Sequence, residues 1–244
     1  MPNWFESWFD TEYYHSLYNK RDENEAEAFI QALMDLLSVP KGSHIADIAC
    51  GKGRHSRVLA RMEMHVSGYD LSENSIAYAT SLAGAKEQYQ VHDMRMPYAE
   101  ANLDAAMNVF TSFGYFEHEE EDAACIANIF NMLKPGGWFI QDYLQASAVL
   151  PSLPQQGSEQ REDVQFLIRK YIKGTHIHKD ITVMDAGQEL HFQETVKIYA
   201  VEQLRVLHEA AGFQVKHIFG DYLLNPLVEN QSPRIILVSQ KPIR

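Results

Sequence analysis

Residues His44–Ser56, reading HIADIACGKGRHS, restrict the fold of this chain more than any other stretch. The apolar run Ile45, Ala46, Ile48, Ala49 ends in Cys50-Gly51-Lys52-Gly53, and from Arg54 onward Val58, Leu59 and Met62 recur at helical spacing. The pattern predicts a strand, a tight glycine turn and a helix. Glycine at 51 and 53 admits positive φ and carries no Cβ, so a ligand can lie against the backbone while the N–H groups of the new helix point at it. Several nucleotide-like ligands use such turns, so the glycines alone leave the ligand open.

Three neighbours narrow the choice. Asp47 lies inside the strand just before the turn, where a carboxylate suits an ammonium group better than a pyrophosphate. The dinucleotide fingerprint asks for a third Gly or Ala at position 56, and this chain has Ser56. The next strand, His65 to Tyr69, ends in Asp70, placed to take the two hydroxyls of a ribose. A ligand with a ribose, a cationic amino-acid end and no pyrophosphate is S-adenosylmethionine.

With these residues in view, the chain resembles the class I S-adenosylmethionine-dependent methyltransferases. Five segments carry the resemblance in order: DIACGKG (47–53), YDLS (69–72), HDMRMPY (92–98), NVFTSFGYF (108–116) and LKPGGWFI (133–140). It covers residues 22 to 150 together with the C-terminal helix and strands. The resemblance implies an α/β fold with a doubly wound, seven-stranded, mostly parallel sheet in the order 3-2-1-4-5-7-6, of Rossmann-like methyltransferase type. It also implies cofactor contacts at Asp47, Ala49, Gly51, Gly53, Asp70, Leu71 and Phe110, with Asp93 accepting from the adenine amino group and the Met94 backbone donating beside it. The stretch Thr111–Phe116 resembles a subgroup that includes aminosugar N-methyltransferases, and Phe113 and Tyr115 are candidates to wall the acceptor pocket. The acidic or Asn-Pro-Pro-Tyr motif that many methyltransferases of nucleic acids and proteins carry here is absent, which argues against adenine or glutamine methylation.

Composition supports the same class. A chain of 244 residues with 45% apolar content suits one α/β domain with an insertion. A net charge of −12 argues against partners bound by phosphate neutralisation, such as duplex DNA or structured RNA. Two cysteines, Cys50 and Cys125, offer neither a disulfide framework nor metal spacing, and no apolar run reaches the length of a membrane span. The expectation is a cytoplasmic protein that binds no metal.

Two segments lie outside the core pattern. Residues 1–21 form an arm crowded with Trp4, Phe5, Trp8, Phe9, Tyr13, Tyr14 and Tyr18. Its rings either pack over an edge of the core or roof the cofactor, because aromatic faces attract a sulfonium cation; the resemblance points to Tyr14 and Tyr18 for the second role. Residues 151–198 form an insertion, with the cofactor domain at 22–150 and 199–244. Three period-two segments in the insertion predict a three-stranded antiparallel β sheet with one apolar face, after a loop marked by Pro151, Pro154 and Gly157. In resembling enzymes such a sheet is a lid over the acceptor.

His176, His178 and Asp180 alternate on the polar face of the insertion, without a third ligand that would argue for a metal. The acids Glu117 and Glu119–Asp122 read as a solvated helix start that complements the helix dipole. The expected reaction is methyl transfer from S-adenosylmethionine to an N or O atom of a small acceptor. A neutral amine needs no base, whereas a hydroxyl would draw on His118, His176 or His178 as candidates. A non-catalytic cofactor-binding scaffold and methylation of a macromolecule are the alternatives. A dehydrogenase is disfavoured by Ser56.

Overall fold

Apolar β runs alternate with amphipathic helical runs, and each run buries its apolar side against the next layer. The structure is a computed structural model that describes residues 4–18, 23–152 and 155–243. Two short helices, α1 (Trp4–Trp8) and α2 (Glu12–Leu17), precede α3 (Glu23–Leu37). Strand and helix then alternate through β1 (His44–Ile48), α4 (Arg54–Arg61), β2 (His65–Asp70), α5 (Glu73–Ser81) and β3 (Glu87–Val91). They continue as β4 (Leu103–Asn108), α6 (Glu119–Met132), β5 (Leu133–Leu144) and α7 (Ala146–Val149). A 3₁₀ turn at Leu150–Ser152 leads toward β6 (Gln156–Arg161), β7 (Val164–Lys173), β8 (His176–Asp185) and β9 (Gln188–Lys197). Helix α8 (Val201–Ala210), β10 (Gln214–Phe219) and β11 (Arg234–Gln240) follow.

Chain contacts divide these elements into two units, Asp22–Val149 with Tyr199–Arg244, and Met1–Arg21 with Leu150–Ile198. The larger holds a seven-stranded sheet in the order β10-β11-β5-β4-β1-β2-β3. Strands β1 to β5 are mutually parallel where they pair, and β11 runs antiparallel to both β5 and β10. Counting only this sheet's strands, the order is the expected 3-2-1-4-5-7-6. β1 lies between β2 and β4, so the strand order reverses there, and in open α/β sheets ligands bind outside the carboxyl ends of the strands at such a switch point.

Helix α3 covers this sheet with the stripe its spacing predicts: Ala26, Phe29, Ile30, Leu33 and Leu37 are all buried. They pack with Ile45, Met107, Ile140 and Ile236 from four adjacent strands. Ser72 caps α5, its side chain accepting from the Ser75 N–H at 3.0 Å. Pro135-Gly136-Gly137, residue types that ordinarily interrupt a strand, lie within β5. The Gly136 N–H donates to the Lys241 carbonyl at 2.9 Å and the Lys241 N–H to the Gly137 carbonyl at 2.9 Å, so chain beyond β11 supplies the pairing.

The smaller unit contains a four-stranded antiparallel sheet, β6-β7-β8-β9, where three strands were expected. The extra strand, QGSEQR, is mostly exposed and pairs through its backbone with β7 from Gln156↔Arg169 to Arg161↔Val164. An edge strand held only by main-chain bonds leaves no apolar alternation to read. The rings of the arm pack on the apolar side of this sheet. Trp8 and Leu17 are buried with Phe166, Ile168, Ile181 and Val183, and Trp8 lies 4.6 Å from the Phe192 ring centroid. The arm's rings thus pack on the insertion's own sheet.

Candidate functional site

The glycine turn is held by residues on either side of it. Asp47, near the end of β1, is fully buried, and its Oδ2 accepts from the Ser56 hydroxyl at 2.6 Å. Ser56 thus anchors the acid from the first turns of α4, a role the third glycine of a dinucleotide site could not fill. Asp47 Oδ1 is buried without a hydrogen-bond partner. Burial pushes this carboxyl up from 3.8 to about 6, against the opposing pull of the Ser56 hydrogen bond.

Ala49, Gly51 and Gly53 all adopt left-handed backbone, with φ of 58°, 53° and 74°. The two glycines do different jobs. A Cβ on Gly51 would meet nothing within 4 Å, whereas one on Gly53 would lie 2.6 Å from the Tyr89 hydroxyl. Gly53 therefore admits a neighbouring ring as well as a turn, and Gly51 leaves a bare, open backbone surface.

Asp70 ends β2 beside this turn. Its Oδ2 accepts from the Gly51 N–H at 2.7 Å and its Oδ1 from the Ser72 N–H at 2.9 Å, so one carboxylate ties the glycine turn to the start of α5. Leu71 beside it is half-buried. After β3, Asp93 receives the Arg95 side chain at 2.6–3.0 Å. Arg95 also bonds Glu121 at 2.8 Å and lies over the Phe116 ring at 4.9 Å. Asn128 donates to the Arg95 carbonyl at 2.9 Å, so the loop bearing Asp93 and Met94 is fixed from α6.

That contact revises the reading of the α6 acids as solvated. Glu119 and Glu120 are exposed, but Glu121 grips Arg95, and Asp122 is fully buried, accepting from the Tyr199 hydroxyl at 2.8 Å.

At the end of β4, the Asn108 amide donates to the Ile48 carbonyl at 3.2 Å and to the Ser112 carbonyl at 3.0 Å. Its Oδ1, like Asp47 Oδ1, is buried without a partner. Phe110 and Thr111 are both left-handed. Asp142, fully buried on β5, accepts from the Phe110 N–H at 2.7 Å, the Tyr222 hydroxyl at 3.0 Å and the Arg234 fork at 2.7 Å through both Nε and Nη2.

The structure thus brings Asp47, Ala49, Gly51, Gly53 and Asp70 to one turn and sets Phe110 at the end of neighbouring β4. Phe113 is buried between the Tyr143 and Tyr199 rings, at 6.5 and 6.0 Å, and the half-buried Tyr115 donates to the Thr111 carbonyl at 2.6 Å. His118 is exposed at the N-cap of α6. His176 and His178 lie on β8 with ring centroids 6.3 Å apart, His178 stacked on Tyr171 at 5.1 Å. Among the described residues no group of three or more His, Cys, Asp or Glu is arranged to hold a metal ion.

Tyr14 and Tyr18 sit in the smaller unit. Tyr18 donates to Glu194 at 2.7 and 2.9 Å and meets the Lys179 ammonium, and Tyr14 lies 4.9 Å from both the Phe9 and Tyr18 rings. Motif reading missed the roles of Arg95, Asn108, Asp142, Tyr222 and Arg234, and marked Ser56 only as the departure from a third glycine.

The donor and acceptor set fits S-adenosylmethionine. Two buried oxygens that lack a partner, on adjacent strands, suit an ammonium donor, and the open backbone at Gly51 suits close approach of a ligand. No described helix is long and apolar enough to cross a membrane.

Comparison with known proteins agrees. Residues 45–137 match the family model described as a methyltransferase domain. The chain is 24% identical over 190 residues to dTDP-3-amino-3,4,6-trideoxy-alpha-D-glucopyranose N,N-dimethyltransferase of Streptomyces venezuelae, covering 74% of this chain and 79% of that one. It shares its fold with an S-adenosylmethionine-dependent methyltransferase from Clostridium acetobutylicum, with a TM-score of 0.81 at 15% identity over 94% and 96% of the two chains. It shares it too with CalS10, an amino pentose methyltransferase from Micromonospora echinaspora, with a TM-score of 0.71 at 20% identity over 95% and 97%. With the methyltransferase domain spanning the glycine turn, Asp70 and the strands beside them, the chain is an S-adenosylmethionine-dependent methyltransferase.

Proposed function

We propose that this enzyme methylates the amino group of a small, sugar-like acceptor. The observation that carries this reading is the match to the Streptomyces aminosugar N,N-dimethyltransferase, which extends over 74% of the chain, well beyond the methyltransferase domain at 45–137. Net charge supports it, because −12 disfavours a polyanionic acceptor. The two thiols, buried and outside any disulfide, support work in the reducing cytoplasm.

In this reading Asp47 takes the ammonium end of the cofactor, and Ala49, Gly51 and Gly53 let its chain lie on bare backbone. Asp70 accepts from the ribose hydroxyls with Leu71 alongside. Asp93 and the Met94 backbone read the adenine edge, and Phe110 closes the site from β4. The bound cofactor supplies a methyl group already activated on a sulfonium. The protein's task is then to align the acceptor atom and exclude water, with Phe113 and Tyr115 on the acceptor side. An amine bound in its neutral form attacks without a protein base, so His118, His176 and His178 are not required for transfer.

The reading is tested by incubating the enzyme with methyl-labelled S-adenosylmethionine and matched panels of nucleotide-linked aminosugars, free amines and hydroxylated metabolites. Label is expected in the amines. Label confined to hydroxyl compounds, or appearing only in added RNA or protein, would overturn it.

Asp47 makes a second test. Its carboxyl is held above the ordinary 3.8, at about 6, so the folded chain retains a proton that the unfolded chain has released. The resulting stability is full below about pH 4 and is lost as pH rises through about 6. An ammonium ligand reverses the preference by favouring the ionised carboxylate. Affinity for S-adenosylmethionine is therefore expected to rise from pH 5 to pH 7, with proton release near pH 6. Calorimetry in buffers of different ionisation enthalpy reads that proton directly. Proton-neutral binding across this window would remove Asp47 from the ammonium site.

A further inference from the structure

Phe110 and Thr111, just after β4, take left-handed backbone with φ of 68° and 61°. A bulky aromatic and a β-branched residue are poorly suited to that region. Such strain persists only where the surroundings over-determine it, and it gathers at binding sites. Here the surroundings are specific. The Phe110 N–H donates to Asp142 Oδ2 at 2.7 Å, and the Thr111 N–H donates to the Asp142 backbone carbonyl at 3.0 Å. Arg234 Nη2 bridges Thr111 Oγ1 at 3.0 Å and Asp142 Oδ2 at 2.7 Å.

The Phe110 ring is contacted by two guanidinium groups, Arg54 at 5.4 Å and Arg234 at 5.8 Å. The Asp142 carboxylate is itself immobile, being fully buried and engaged by Tyr222 as well as Arg234. All of this lies at the carboxyl end of β4, beside the switch point between β1 and β4.

We propose that Asp142 and Arg234 are positioning residues: their ion pair clamps Phe110 and Thr111 in the left-handed conformation and so pre-forms the β4 wall of the cofactor site. The proposal rests on the reading of Phe110 as a cofactor contact. A segment free to relax would have to be re-ordered at each binding event, and the clamp removes that cost. At Thr111 its signature is affinity without added stability, since left-handed backbone at that residue does nothing in itself to favour the fold.

The test pairs calorimetric titration with S-adenosylmethionine and thermal unfolding on the full chain and its Thr111 variants. Thr111→Gly removes both the strain and the hydroxyl that Arg234 holds. It is expected to bind about 5–30-fold more weakly with a melting temperature no lower than that of the parent. Thr111→Ser returns the hydroxyl and is expected to rescue binding relative to Thr111→Gly. Arg234→Lys keeps the charge but cannot form the fork, and is expected to weaken binding in the same direction.

Unchanged affinity in Thr111→Gly overturns the proposal. So does a weakening that tracks a fall in melting temperature and is not rescued by serine, which would make the clamp purely structural. Absence of binding by the parent protein would instead overturn the cofactor-site reading, before any variant is compared.

Discussion

Asp142→Ala is expected to lower the unfolding free energy by about 3–5 kcal/mol, because removing one partner of a buried ion pair leaves the other charge uncompensated. In a chain of this size that corresponds to a fall of about 6–20 °C in melting temperature. The carboxylate is fully buried and accepts from Phe110, Tyr222 and both arms of the Arg234 fork at 2.7–3.0 Å. Truncation also strands the Phe110 N–H and the Tyr222 hydroxyl in a place water reaches poorly.

Two further variants separate the pair from the packing. Asp142→Asn keeps the volume but points an amide group at the guanidinium, so it is expected to lose most of the same stability. Replacing both members, as Asp142→Leu with Arg234→Met, is expected to cost less than Asp142→Ala alone, since no charge is left unpaired. Denaturant unfolding monitored by fluorescence reads all three. A loss below about 1 kcal/mol for Asp142→Ala, the scale of an ordinary exposed pair, would show that Arg234 finds other partners.

The second large effect is expected on the cofactor. Asp70→Ala should weaken S-adenosylmethionine binding by about 1–3 kcal/mol, the range for a lost charge-assisted hydrogen bond, which is about 5–150-fold in Kd. The variant removes two things together: the proposed acceptor for the ribose hydroxyls, and the tie that receives the Gly51 and Ser72 N–H groups. A cofactor analogue lacking the ribose hydroxyls separates them. If Asp70 grips the ribose, the analogue binds parent and variant more nearly alike than S-adenosylmethionine does. If the analogue loses as much as S-adenosylmethionine, Asp70 acts only on the shape of the turn, and the ribose assignment fails.

Both residues report on the same region, but only one of them could be found by reading the chain. Asp70 ends a β run at a fixed interval after a glycine turn, so its place follows from local pattern. Asp142 sits near the carboxyl end of β5 with no local pattern to mark it. Its partner Arg234 is 92 residues away. The same contrast holds within α6, where the acids read as one exposed cluster although Asp122 is buried against Tyr199, 77 residues on. It holds again for the arm, whose crowded rings were plain but whose Tyr18 hydroxyl meets Glu194 across 176 residues of chain.

Strand β6 was missed for a different reason. It has no apolar face, and only its pairing with β7 makes it a strand.

The sequence by itself determined the strand–turn–helix at 44–61, the amphipathic stripe of α3 and the cap of α5. Each of these depends on residue types a few positions apart, where period and glycine tolerance act directly on the backbone. The tertiary structure alone decided which buried polar groups meet. It placed Ser56 on Asp47, Arg95 between Asp93 and Glu121, and Arg234 on Asp142 beneath a strained Phe110–Thr111. A buried donor or acceptor must find a partner wherever the sheet brings one within about 3 Å. That partner is chosen by strand order and register, which no local pattern of side chains encodes.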